Sequence, residues 1–278
     1  MRTAPIVRSV GIHLASDSCE VPGTFIAGRA GHGSRRRPRV PVAASLCETA
    51  GVAAVIAHRG ASQAAPENTV EAFRLAREFG ADWVELDVRR TTDGVAVVHH
   101  DAHLADGRRI GHLHADELPD YVPSLAEALE ACEGMGVHLE IKNLPDDPDY
   151  DSENLVADAV AGLIVAYLGP ERAVVSSFNV DAADAVRAVD PTIRTALICG
   201  IVAPAQAVAR ASAHSMVAVH AFDAMCDVAF VRRAHDAGLA VNVWTINVPE
   251  RMSELLAMGV DGLITDVPDV ARALVDAA

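Results

Sequence analysis

The sequence predicts a closed (β/α)8 barrel, the TIM barrel, within the α/β class. Three observations predict it. From residue 52 a Val/Ile-rich run ending in polar residues is followed by an Ala/Leu/Glu/Arg-rich run, and the pair recurs eight times. The repeats fill about 225 residues, an ordinary length for this barrel. No Gly-x-Gly-x-x-Gly follows the first strand, so the competing doubly wound open sheet lacks its usual mark.

The first pair is strand 53–57 and helix 68–79, whose apolar positions are Val70, Phe73, Leu75 and Ala76, with Gly80 as a stop. Strand 83–88 follows. Helix 124–132 opens on Ser124, with Glu127 three residues on completing a capping box. The remaining strands are 138–141, 173–176, 195–198, 216–220, 240–244 and 262–265. Their helices are 152–167, 180–189, 205–211, 228–237, 250–258 and 269–276. One further strand-like run, 95–100, is joined to 83–88 by Thr91-Thr92-Asp93-Gly94, and Asp-Gly is a strong hairpin signal. It is expected to fold back antiparallel as an arm outside the eight. A turn centred on Asp93-Gly94 would set His100 opposite Asp87, with His99 on the other face.

Residues 51–278 are therefore expected to form the barrel, and residues 1–50 a separate leader. That leader is Gly-, Pro- and Arg-rich and is expected to be disordered, or to follow a start codon placed too far upstream. It carries seven Arg against three acids, a net +4, while the rest of the chain carries −19. Its run Ser34-Arg35-Arg36-Arg37-Pro38-Arg39 only faintly matches an export signal, because the apolar run behind it is broken by Cys47-Glu48-Thr49. Five widely spaced cysteines, an odd number with no Cys-x-x-Cys, argue against a disulfide framework. A cytoplasmic location is the expectation, with export by the leader left open. The net charge of −15 argues against a general nucleic-acid binder. No run reaches the roughly 18 apolar residues of a membrane span, so no stable membrane anchor is expected.

In such a barrel the chemistry sits at the C-terminal ends of the strands. Glu85-Leu86-Asp87 and Glu140-Ile141-Lys142 put charged residues on alternate positions of two neighbouring strands, so each pair shares a face. Buried carboxylates are costly without a cation between them. Glu85, Asp87 and Glu140 therefore read as ligands of a hard divalent cation, Mg2+ or Ca2+, with Mn2+ a further option. Carboxylates paired with arginine are the competing reading. Zinc is disfavoured, since no thiolate cluster is present. His58 and His100 are candidates for general acid and base, as side chains that titrate near neutrality. Arg59 and Lys142, the chain's one lysine, can contact a phosphate or simply balance the carboxylates. His103, His112 and His114 read as surface residues.

Several motifs in order resemble the glycerophosphodiester phosphodiesterases. They are His58-Arg59-Gly60, Pro66-Glu67-Asn68-Thr69, Glu85-Leu86-Asp87-Val88, Val98-His99-His100-Asp101, Leu139-Glu140-Ile141-Lys142, Ser176-Ser177-Phe178, Val243-Trp244-Thr245 and Gly262 through Thr265-Asp266. The resemblance spans about residues 53–276. It implies a metal-dependent hydrolase, with a place in glycerol and lipid metabolism. Its partner would be a small-molecule glycerophosphodiester, cleaved to glycerol 3-phosphate and an alcohol. It implies metal ligation by Glu85, Asp87 and Glu140 and acid–base chemistry by His58 and His100. Arg59 and Lys142 would contact phosphate, Glu67 would stand beside the site, and Phe178 and Trp244 would face the glycerol or leaving group. A lysophospholipase D-type activity and a non-catalytic phosphodiester-binding barrel are the rival readings. The segment after His100-Asp101, residues 102–118, is shorter than the insertion often found there.

Overall fold

Barrel strands are covered on both faces, so they read as near-continuous Val, Ile and Ala runs rather than strict alternation. The computed structural model describes residues 52–200 and 202–278; the expected leader, 1–50, lies outside the described residues. The strands are β1 Ala54–His58, β2 Trp83–Arg90, β3 Ala96–Val98, β4 Gly136–Ile141, β5 Ala173–Ser177, β6 Arg194–Cys199, β7 Ala218–Phe222, β8 Ala240–Trp244 and β9 Gly262–Thr265. All but β3 pair in parallel in chain order, and β9 returns to pair with β1. The sheet is thus a closed eight-stranded barrel. Each barrel strand leads to one helix: α1 Val70–Glu78, α2 Leu125–Ala131, α3 Val156–Leu163, α4 Val180–Val189, α5 Pro204–Ala213, α6 Val228–Asp236, α7 Pro249–Met258 and α8 Pro268–Val275.

The main apolar core lies between strands and helices. Val55, Val84, Leu86, Val137 and Leu139 point outward and pack with Phe73, Phe230 and Met252 of the helical ring. The alternate residues point inward. At the barrel's base the indole of Trp83 lies across Gly136, where an added Cβ would stand 2.2 Å from a ring carbon. No helix among the described residues is long and apolar enough to cross a membrane.

Helix starts differ from the expected ones for a simple reason. Pro204, Pro249 and Pro268 each occupy the first turn, where the missing N–H has no intrahelical partner to lose. At α1 the expected start, Asn68, stands outside the helix with φ of 59°, and Thr69 caps it by accepting from the Ala72 amide. The Ser124–Glu127 capping box forms as expected.

The hairpin arm is present, but its register differs by one residue. β3 runs antiparallel to the projecting end of β2, with Val88 opposite Val98. Thr91 donates to the Val95 carbonyl, so three residues form the loop. His99, not His100, therefore stands opposite Asp87, and its amide donates to the Asp87 carbonyl at 3.0 Å. The ladder ends at Val98, and the chain bends at His100. That bend, rather than strand alternation, turns His100 toward the barrel mouth.

Candidate active site

β2 and β4 are neighbours, and their register sets Asp87 beside Glu140. Glu85, Asp87 and Glu140 each offer a carboxylate oxygen within 4.8 Å of the others, and all three residues are buried. Oε1 of Glu85 and Oδ1 of Asp87 are buried and accept no hydrogen bond, although Lys142 Nζ is 3.0 Å from the latter. An unpartnered buried oxygen, Oε1 of Glu85, in an oxygen-only donor set fits a hard divalent cation.

Burial, reinforced by the Asp87 charge, pushes the Glu85 carboxyl up to about 8. Burial acts on Asp87 in the same direction. There the Lys142 and Arg59 charges prevail and hold the carboxyl down at about 2. Burial also raises Glu140, against the opposing pull of Lys142.

Two cations bracket the trio. Lys142 Nζ donates to Glu140 Oε1 at 2.6 Å. Arg59 places Nε 3.1 Å from Asp87 Oδ2 and donates through one Nη to both oxygens of the exposed Glu67 at 2.9 Å. The Arg59 amide donates to Glu85 Oε2 at 3.1 Å. Arg59 has a φ of 55°, and Gly60 follows at 85° with its α-carbon pressed on the Ala72 backbone. That tight turn aims the guanidinium back over the carboxylates.

Both histidines are oriented by carboxylates. His58 Nδ1 and Asp266 Oδ1 are 2.7 Å apart, as are His100 Nδ1 and Asp101 Oδ1. Burial lowers the His58 pKa, but the Asp266 hydrogen bond and the Glu85 charge outweigh it and raise the value. Burial and the Lys142 charge lower that of His100.

A cavity of about 230 Å3 lies on the barrel axis, lined by His58, Arg59, Glu85, His100, Glu140, Lys142, Phe178, Ile198, His220, Trp244 and Ile264. Phe178 and Trp244 meet edge to face at 5.8 Å. Thus eight of the ten expected site residues line one cavity. Asp87 lies beneath it, against Lys142 and Arg59, and Glu67 braces Arg59 from outside.

Four neighbours of the site were not assigned from the sequence. Asp266 orients His58, and Asp101 orients His100. Asn68 donates to Asp87 Oδ2 at 2.7 Å and accepts from the Asp87 amide at 3.3 Å. Arg89, 5% exposed, donates to the His100 carbonyl at 2.8 Å and to both oxygens of Asp149. Asp266 stands at a strand end, Asn68 and Asp101 adjoin expected site residues, and Arg89 continues the Glu85, Asp87 alternation. Those positions were the available signals.

A model of the glycerophosphoryl diester phosphodiesterase family matches residues 58–270. The chain is 32% identical to a glycerophosphodiester phosphodiesterase of Caldanaerobacter subterraneus over 247 residues, covering 80% of this chain and 97% of that protein. It is 28% identical to a probable glycerophosphodiester phosphodiesterase 2 of Mycobacterium tuberculosis, covering 78% and 88%. Among solved structures, a phosphodiesterase of Oleispira antarctica in complex with the product sn-glycerol-3-phosphate superposes with a TM-score of 0.74 at 28% identity. That match covers 81% of this chain and 97% of the other. On its sequence, its barrel and its cluster of acids and histidines, the chain belongs to the glycerophosphoryl diester phosphodiesterase family.

Proposed function

We propose that the chain hydrolyses glycerophosphodiesters to glycerol 3-phosphate and an alcohol, with Mg2+, Ca2+ or Mn2+ held by Glu85, Asp87 and Glu140. Family membership makes it a phosphodiesterase acting on glycerophosphodiesters. The observation that carries the residue roles is the convergence of that carboxylate trio with two carboxylate-oriented histidines on one cavity. The product bound to the Oleispira antarctica phosphodiesterase supports the substrate class.

A bound divalent cation would withdraw charge from a phosphoryl oxygen. The chain's own groups do the rest. Arg59 and Lys142 stand at the carboxylate rim, where they contact the remaining phosphate oxygens and stabilise charge gathered there. Glu67 holds the Arg59 fork in place. His58 and His100 each present Nδ1 to a carboxylate, which leaves Nε2 for proton transfer. One removes the nucleophile's proton and the other protonates the departing alcohol. Phe178 and Trp244 supply an apolar wall for the carbon skeleton.

The test is a panel of glycerophosphocholine, glycerophosphoethanolamine and lysophosphatidylcholine in Mg2+, Ca2+, Mn2+ and chelator, with free glycerol 3-phosphate measured for the first two and lysophosphatidic acid and choline for the lysolipid. Release from the two glycerophosphodiesters that stops in chelator is the expected result. Full turnover after exhaustive chelation would remove the cation from the proposal. Equal turnover of the lysolipid would extend the substrate class to lipids.

A further inference from the structure

Beneath the carboxylates the barrel interior stays polar, and two histidines form that floor. His138 on β4 is in register with Glu85 on β2. His220 on β7 stacks on it from across the barrel, with ring centroids 4.9 Å apart and planes 13° apart. Trp83 meets the other side of His138 edge to face at 5.1 Å. The two histidines are 2% and 1% exposed. Nδ1 of His138 and Nε2 of His220 are buried without a hydrogen-bond partner. A buried polar atom left unpaired costs about 1–3 kcal/mol, so each such atom asks for a ligand or an ordered water. Burial lowers both pKa values, that of His220 to about 3, so two neutral rings stack without charge repulsion.

The cavity above says which ligand. Its wall draws on the ends of all eight barrel strands. Ile198, Ile264, Phe178 and Trp244 offer it carbon surface. The Trp244 indole N–H is already used, donating to the His220 carbonyl at 2.9 Å. His58, Arg59, Glu85, His100, Glu140 and Lys142 belong to the reaction groups. Apart from these, among the described residues of the wall, His220 is the one neutral polar side chain with a free hydrogen-bonding site. Carbon surface beside one neutral polar group suits a small polyol, whose C–H faces stack while a hydroxyl finds a partner. A second cavity of about 460 Å3 opens sideways between residues 100–103 and 144–148, and it shares His100, Glu140, Lys142 and Phe178 with the first. The axial cavity is bounded by strands and has a set size. The lateral one is bounded by loops and can vary.

Resting on the phosphodiesterase reading above, we propose that His220 is a specificity-determining residue that hydrogen-bonds a hydroxyl of the substrate's glycerol moiety in the axial cavity, while the leaving alcohol takes the lateral one. A neutral imidazole both donates and accepts, so either sense of the bond serves. His138 is a positioning residue, which keeps the His220 ring in its plane.

The test compares His220→Phe, which keeps a ring for stacking, and His220→Gln, which keeps hydrogen-bonding atoms. Substrates are glycerophosphocholine and bis(p-nitrophenyl) phosphate, which has no glycerol hydroxyl. In His220→Phe, kcat/KM for glycerophosphocholine is expected to fall roughly 10- to 100-fold further than for the nitrophenyl diester, chiefly through KM. His220→Gln is expected to recover part of that difference. Calorimetry should show sn-glycerol 3-phosphate weakened more than inorganic phosphate, a comparison that needs no turnover. Equal losses on both substrates, or an unchanged ratio of the two binding constants in His220→Gln should His220→Phe not fold, would overturn the assignment. Such a result would leave His220 as a structural residue whose partner is water. Wild-type protein that releases no glycerol 3-phosphate in any cation sinks the phosphodiesterase reading itself, whereas wild-type turnover with unchanged variant ratios sinks only this one.

Discussion

His58 Nδ1, at the end of β1, lies 2.7 Å from Oδ1 of Asp266, the residue after β9. The contact ties the first barrel strand to the last at the seam where the sheet closes. Asp266 is itself held by Ser62 at 2.8 Å and Asn247 at 2.6 Å. The carboxylate therefore fixes which imidazole nitrogen faces the cavity. Asp266→Asn should lower kcat by roughly 100-fold or more with a smaller change in KM, because the amide disfavours the working tautomer. Steady-state kinetics on glycerophosphocholine decide it, and a wild-type kcat would refute the orienting role.

The same pair makes stability depend on pH. Burial raises the Asp266 pKa, but the His58, Asn247 and Ser62 hydrogen bonds prevail and hold it at about 2. Its contribution is present above the unfolded value near 4 and is lost as pH falls toward 2. The raised His58 value works in the other sense: its contribution is present below about pH 6.5 and fades as pH rises through the folded value. Both describe one contact, of the order of 1 kcal/mol after allowance for solvent screening. Melting curves of wild type and Asp266→Asn should differ most between about pH 4 and 6 and converge on either side. A constant difference would show that the pair does not titrate with folding.

With Glu85 as a ligand of the proposed cation, binding of that cation should depend on pH. Burial and the Asp87 charge push its carboxyl up to about 8. Its ionised form is disfavoured in the fold, so stability in chelator should decline as pH rises from its unfolded value toward about 8. Cations need the deprotonated carboxylate. The gain in melting temperature from Ca2+ or Mg2+ should therefore be larger near pH 8 than near pH 5.5. Glu85→Gln should flatten the chelator profile, remove the cation gain and abolish turnover. A cation gain that persists in Glu85→Gln would take Glu85 out of the ligand set.

Arg89 joins the His100 carbonyl to Asp149 in a buried position. Arg89→Met would strand Asp149, whose side chain is 8% exposed, without its cation. We expect a loss of about 3–5 kcal/mol in urea unfolding, with a fall in kcat as His100 loosens. The double variant Arg89→Met/Asp149→Asn should regain part of the stability but not the activity. Activity regained together with stability would mean that Arg89 acts on the fold alone.

Gly60 is required twice over. Its φ is 85°, and a Cβ there would lie 2.6 Å from the Ala72 carbonyl carbon. Gly60→Ala should cost about 2–4 kcal/mol and displace Arg59 from Asp87. Urea midpoints, with KM for glycerophosphocholine as the local readout, measure both. A neutral substitution would show that the turn after β1 relaxes without cost.

Much of this protein was legible in one dimension. Eight apolar runs alternating with helix-forming runs imply the barrel, because a parallel strand buried on two faces must be apolar along its length. Glu85, Asp87, Glu140 and Lys142 stood out because charge at alternate positions of such a strand violates that rule, and the violation marks a site. Pro66-Glu67-Asn68-Thr69 carried both the brace for Arg59 and the amide on Asp87, although only Glu67 was read as part of the site.

The rest was decided by closure. Local spacing suggested a two-residue turn and set His100 opposite Asp87; the three-residue loop moved His99 there, and a bend beyond the strand delivered His100 to the cavity instead. His58 meets Asp266 across 208 positions of sequence, and His138 stacks on His220 through the middle of the barrel. Such contacts leave no periodic trace. By itself the sequence determined which residues alternate, which runs are buried and which ends carry charge, since those follow from the two-residue repeat of a strand. Only the closed barrel decided which of those ends touch, because that depends on how the first strand and the last come to lie side by side.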